Sequence, residues 1–225
     1  MHIAEGVLSP AVLGTGAVLT AAGTFIGLRR LDMNRLMTVA MLSAAFFVGS
    51  LVHVPIGVGN VHLLLNGLLG VLLGWAAVPA ILVALSLQAL FFQFGGLTTL
   101  GVNTATMGCA AVVAGWCFTA LTGILPGSRG LKVAAFCGGA LGVLVAALLT
   151  ACALAGTDEG LVVAAKMLLV AHLPIMFIEG CITMLAVAFM ARVRPEMLAS
   201  RLSGRRGHPC DDVEDAVETP RQERG

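Results

Sequence analysis

Long apolar runs separated by short polar breaks organise nearly the whole chain up to about residue 198. A membrane-crossing helix needs about 20 predominantly apolar residues. Seven candidate spans meet or approach that length: 8–28, 36–53, 61–76, 79–94, 104–125, 132–155 and 171–191. The third and fourth are short, and only a tight turn at Trp75 to Pro79 separates them, which suggests tilted, interrupted or protein-buried segments. Leu161 to Val170 forms a further apolar run, expected as an interfacial helix leading into the last span.

The polar breaks fix an orientation. Arg29, Arg30 and Arg35 lie between spans one and two, Arg129 and Lys132 between spans five and six, and Arg192, Arg194, Arg201, Arg205, Arg206, Arg221 and Arg224 after span seven. Basic loops stay on the cytoplasmic side. Seven spans put every one of the 13 basic residues except Lys166 on that side, with the N-terminus outside and the C-terminus inside. The basic residues follow the first apolar stretch, whereas a signal peptide carries them ahead of it. Residues 8–28 therefore read as a permanent helix inserted amine-first, with Met1 retained ahead of the bulky His2.

Composition agrees with this picture. The 225 residues are 58% hydrophobic and 11% charged, with 28 Gly and no Tyr; a soluble domain carries about 25% charged residues. The fold class expected is an all-α integral membrane protein. Residues 1–198 form its transmembrane domain, and 199–225 a polar cytoplasmic tail with no apolar periodicity, expected to be disordered. A net charge of +1 gives no electrostatic case for nucleic acid. The six cysteines form no CxxC pair, and five lie in apolar runs, where thiols behave as small hydrophobes. GxxxxGK[ST], GxGxxG after a strand, HExxH and GxSxG are absent, so ATP hydrolysis, zinc proteolysis and serine hydrolysis lack their signatures in this chain.

Candidate chemistry sits at the amino end. His2 places the α-amine, its own amide nitrogen and imidazole Nδ1 where they close a five- and a six-membered chelate ring in one plane. A fourth nitrogen would complete a square, the geometry that suits Ni(II) and Cu(II). Ionisable and hydrogen-bonding side chains inside membranes are functional candidates by default. They gather in the outer half: His53, Asn60, His62, Asn66, Gln88, Gln93, the Gly95–Thr104 segment, His172, and Glu179 two turns beyond it. His2, Glu5, His53, His62, His172 and Glu179 are candidates to converge in one outward-facing cavity. A competing reading makes the chain a stand-alone intramembrane enzyme with His172 and Glu179 as an acid/base pair.

Met1-His2-Ile3 with Glu5-Gly6 and Leu8-Ser9-Pro10, Val61-His62-Leu63, Gln93 through Asn103, His172-Leu173-Pro174 with Ile178-Glu179-Gly180, and Val193 through Leu198 together resemble the CbiM/NikM family. These are the substrate-capturing membrane subunits of energy-coupling-factor transporters for nickel and cobalt in the prokaryotic cell membrane. The resemblance implies a seven-span subunit that is not itself an enzyme. It also implies partners: a transmembrane coupling subunit, two cytoplasmic ATPases and sometimes a small extra membrane subunit. Metal ligands carried over from the family are Met1, His2 and His62, with Ni(II) as substrate and Co(II) as the alternative. Glu5, Asn60 or Asn103 are then candidates to accept the outer N–H of a ligand imidazole. Metal binding would release protons from the amine and amide. The turn from Trp75 to Pro79 and the small-residue faces of the early helices are candidate docking surfaces for the partners.

Overall fold

The computed structural model describes residues 3–51, 53–56 and 59–202, with the backbone alone described at 53–56, 59–62 and 199–202. Eight helices and one hairpin follow in order: α1 Pro10–Arg29, α2 Leu36–Gly49, β1 His53–Ile56, β2 Gly59–His62, α3 Asn66–Leu73, α4 Ala77–Phe92, α5 Leu100–Ile124, α6 Gly127–Ala155, α7 Val162–Val193 and α8 Pro195–Leu202. Five stretches among the described residues are long and apolar enough to cross a membrane: Pro10–Arg29, Asn66–Phe92, Leu100–Ile124, Gly127–Ala155 and Glu159–Val193. Large apolar side chains such as Phe25, Phe91, Phe177, Leu185 and Phe189 are exposed on the bundle surface, where lipid covers them.

The seven expected spans therefore redistribute. The second falls in the shorter apolar stretch Met33–Gly49. The third and fourth share one stretch, Asn66–Phe92. Residues 61 and 62, the expected start of the third span, are instead the end of an antiparallel hairpin that pairs His53 with His62 and Ile56 with Gly59. Gly74 (φ +58°, ψ −122°) then interrupts the stretch between α3 and α4. The Leu161–Val170 run is no separate interfacial helix; it is continuous with α7, which carries Pro174 in its interior. Helix-breaking residues are tolerated in membrane helices because their neighbours satisfy the freed backbone groups. Ala76 through Ala80 are buried, so most of the Trp75–Pro79 segment is closed to a docking partner. At the far end α8 runs to Leu202, across the expected boundary at 198, and residues from 203 onward lie outside the described residues.

α3 is the centre of the bundle. All of its residues but Leu68 are buried, and it packs on α5, α6 and α7. Missing side chains make this possible. A Cβ on Gly70 would run into the carbonyl of Ala111 on α5, and one on Gly67 would meet the backbone of Gly138 and Gly139 on α6. Such backbone-to-backbone approach is the packing that small residues allow in membrane helices. Along α1 the same device operates: Gly16 lies against Val102, and Thr20 donates to the carbonyl of Gly101 at 2.6 Å.

Ser9 starts α1, its hydroxyl accepting from Val12 N, with Pro10 in the first turn where its missing N–H costs nothing. α1, α5 and α7 start, and α4 and α6 finish, beside one another. One end of the bundle thus collects the segment 3–9, the 93–99 loop and the 156–161 loop, and the candidate site lies there.

Candidate metal-capturing site

The residues immediately after His2 are fastened into this end of the bundle. Ile3 is buried in an apolar cluster with Leu8, Val102, Ala151, Leu154 and Ala165. Its backbone is clamped from both sides by one side chain: Ile3 N donates to Asn103 Oδ1 (3.0 Å), and Asn103 Nδ2 donates back to Ile3 O (3.2 Å). Asn103 sits one turn into α5 and is 2% exposed. A further bond to Thr99 Oγ1 (3.3 Å) fixes its rotamer. A side-chain amide used this way imitates a strand partner, supplying one donor and one acceptor to one residue.

Two further anchors hold the segment. Glu5 Oε1 accepts from both the backbone N–H (3.0 Å) and the hydroxyl (3.1 Å) of Thr98. Ser9 N donates to Thr157 Oγ1 (3.3 Å) in the loop before α7. The 93–99 loop reaches Glu5 by an unusual backbone path, with positive φ at Gln93, Gly95 and Gly96. At Gly96 (φ +105°) a Cβ would also occupy the space of the Glu5 carboxylate, so glycine is required twice over.

The Thr98 backbone N–H, followed by its hydroxyl, holds the Glu5 carboxyl below its ordinary 4.5. A depressed carboxylate favours the folded state above its ordinary pKa, and the contribution fades as pH falls through the lowered value. Thr98→Val removes the hydroxyl but not the backbone donor. The Glu5 pKa, followed by carboxyl-detected NMR titration, is therefore expected to return only part of the way toward 4.5. A full return would mean that the hydroxyl, and not the backbone N–H, sets it.

The second candidate segment lies deeper. Beyond β2, residues 63–65 run without regular structure into the interior, where Leu64 and Leu65 are buried. Leu65 is left-handed (φ +51°). Glu179, on the inner face of α7, meets this turn: its Oε1 accepts from Leu64 N and from Leu65 N (2.6 Å). His172, two turns earlier on the same face, donates from Nδ1 to Leu168 O (2.7 Å) and is 6% exposed. Among the described residues, its Nε2 and Glu179 Oε2 have no hydrogen-bond partner.

Each expected site residue now has a place. Met1 and His2 lie outside the described residues. His62 and Asn60 stand on β2, opposite His53 and Pro55, as backbone positions. Glu5 is exposed and engaged with Thr98, Asn103 is engaged with Ile3, and Glu179 with the turn after His62. The His172–Glu179 acid/base pair has no geometric support, because seven helical residues place the two about 10 Å apart along α7. No group of three or more His, Cys, Asp or Glu side chains capable of holding a metal occurs among the described residues. What sequence reasoning missed is that Asn103 and Glu179 both serve backbone: one clamps the residue after His2, the other the turn after His62.

The chain is similar to known proteins over this whole region. A family model described as "Cobalt uptake substrate-specific transmembrane region" matches residues 2–197. A putative metal transport protein of Haemophilus influenzae is 39% identical across 88% of this chain and 97% of its own length. The fused nickel transport protein NikMN of Rhodobacter capsulatus is 34% identical, across 89% of this chain and 65% of its own length. A solved transition metal transporter superposes with a TM-score of 0.74 at 27% identity, covering 91% of this chain and all of that one.

Proposed function

Because the chain belongs to the CbiM family, we propose that it captures Ni(II), or alternatively Co(II), from outside the cell as the substrate-specific subunit of an energy-coupling-factor transporter. It is a membrane component of cobalt/nickel transport of the CbiM/NikM type. The ion is bound by the amine of Met1, the amide and imidazole nitrogens of His2, and the imidazole of His62. Nitrogen donors in a plane favour Ni(II) and exclude the coordination Zn(II) prefers.

The observation that carries this reading is the double hydrogen bond between Asn103 and Ile3. Consecutive Cα atoms are 3.8 Å apart. Fixing Ile3 in advance therefore spares part of the entropy that a loose amino end would lose on closing round an ion. Glu5 and Ser9, each bonded to a different loop, add to that pre-organisation.

A transmembrane coupling subunit and two cytoplasmic ATPases would supply the energy, since this chain has no phosphate-binding loop. The fused NikMN relative extends well beyond the matched part; a small extra membrane subunit is a further proposed partner. In this reading the N-terminus lies outside and the C-terminus in the cytoplasm of a prokaryotic cell, the arrangement that the basic loops favour.

The test is direct. The purified chain, dialysed against Ni(II) or Co(II), is expected to bind one ion per chain in a shell of nitrogen donors, read by X-ray absorption. A shell containing sulfur, or no retained ion, would overturn the proposal.

A further inference from the structure

We propose that Glu179 is a positioning residue for metal capture, acting through His62: it holds the turn that follows this residue and so fixes the backbone that carries it. The inference rests on His62 being a metal ligand.

The geometry begins with α7. Glu179 is fully buried, 17 residues beyond Val162, which is about 26 Å along a helix rising 1.5 Å per residue. A carboxyl at that depth is costly in a membrane and needs a reason. Its partners supply one. Irregular backbone at membrane depth survives only where its polar groups are satisfied from within the protein. Leu64 and Leu65 are buried, non-helical residues that precede α3, and both of their N–H groups donate to the single atom Glu179 Oε1. Leu65 also holds a left-handed conformation that a leucine adopts only when its surroundings impose it.

The anchor has a rigid base. α6 lies close behind Glu179: a Cβ on Gly139 would stand 2.7 Å from the carbonyl of Glu179 and 2.7 Å from Thr183 Oγ1. On its other side, α6 backs onto the start of α3 at Gly67. The turn is therefore gripped from two directions, by the carboxyl at residues 64 and 65 and by α6 at residue 67. Only Leu63 separates the gripped residues from His62. The strand ending at His62 thus has one end fixed to α7, whereas Ile3 is fixed to α5. A ring of nitrogens drawn from both segments is assembled from two separately anchored backbones.

Residues that support metal ligands at one remove typically change metal affinity about 10- to 100-fold when lost. Glu179→Leu is expected to lower Ni(II) affinity of the purified full chain by that factor, measured by calorimetric titration. Glu179→Gln keeps an oxygen acceptor for both N–H groups and is expected to restore affinity close to that of the unaltered chain. Glu179→Asp, which keeps the carboxyl but is one methylene short, is expected to fall between them, and it serves should Glu179→Leu fail to fold.

Coupling to His62 separates positioning from general stability. In a His62→Ala background the Glu179 variants should weaken binding no further than about twofold, the scatter of independent sites. Ni(II) bound to Glu179→Leu alone should also show the visible spectrum of His62→Ala, with one nitrogen lost. Multiplying effects in the double variants, or weakened binding with an unchanged spectrum, would overturn the proposal. Should His62→Ala alone leave affinity and spectrum unaltered, the ligand assignment itself fails, and this inference with it.

Discussion

Placing about five residues ahead of Met1 is expected to lower Ni(II) affinity by about 10³-fold, or ~4 kcal/mol at 1.4 kcal/mol per decade, while the bundle stays folded. The proposed amine, amide and imidazole donors are consecutive atoms of one tether, so each raises the effective concentration of the next by the 10²–10⁴-fold typical of linked sites. An extension turns the amine of Met1 into a peptide nitrogen with its own side to the chain and breaks the five-membered ring. The length of the extension matters. A single added residue would put the imidazole third in the chain, where an amine, two amides and the ring close a four-nitrogen set without His62. Longer extensions offer no such escape. His2→Ala should produce a loss of the same order from the opposite end of the tether. Calorimetric titration of the purified chains gives the affinities, and thermal unfolding shows that the helices are intact. Affinity within about twofold of the unmodified chain would show that the amino end does not bind the ion.

Much of the bundle was legible from hydropathy, because a lipid-facing helix must be apolar over its whole length. α1, α5 and α6 fall close to the stretches 8–28, 104–125 and 132–155. The errors lie where apolar character and helix length part company. Residues 61–76 look like a short span because a window of apolar residues cannot register that Gly59–His62 pairs with His53–Ile56 as a hairpin. Nor does it show that α3 is only eight residues long and enclosed by protein. At Pro174 the opposite happened. The last span was expected to begin at residue 171, yet α7 runs unbroken from Val162 through Pro174.

The site was legible as a set of residue types and less so as contacts. Polar side chains in or beside apolar runs singled out Asn103, His172 and Glu179. Their partners are backbone groups of Ile3, Leu168, Leu64 and Leu65, and those residues carry no polar side chain that a sequence pattern could match. The pairing of Glu5 with Thr98, 93 positions apart, depends on three departures to positive φ early in the 93–99 loop, at Gln93, Gly95 and Gly96. Two glycines hint at such a path; Gln93 gives no hint.

Asn103→Leu should be the most damaging substitution among residues that touch no metal, with a loss of about 10²-fold in Ni(II) affinity. Leucine nearly matches asparagine in shape but returns nothing to Ile3, whose N–H and carbonyl would both lack partners in a buried setting. Each unpaired buried group costs about 1–3 kcal/mol. Undocking the segment recovers that cost by exposing both groups to water, at the expense of the ~1.5–3 kcal/mol gained by burying the Ile3 side chain. The two groups together cost about 2–6 kcal/mol, more than that gain, so the docked state becomes a minority. Apparent affinity falls in proportion to the population able to bind, and a docked fraction near 1% gives the stated loss. Asn103→Asp is the discriminating companion. Its carboxylate still accepts from Ile3 N–H, but it has no donor for the carbonyl and faces it with a like partial charge, so it should fall well short of the unaltered chain. Hydrogen exchange at the Ile3 amide reports docking without any metal present: it should be protected in the unaltered chain, fast in Asn103→Leu and intermediate in Asn103→Asp, in the same rank order as affinity. Fast exchange together with unchanged affinity would uncouple the clamp from capture and leave the amino-terminal segment free to find the ion by itself.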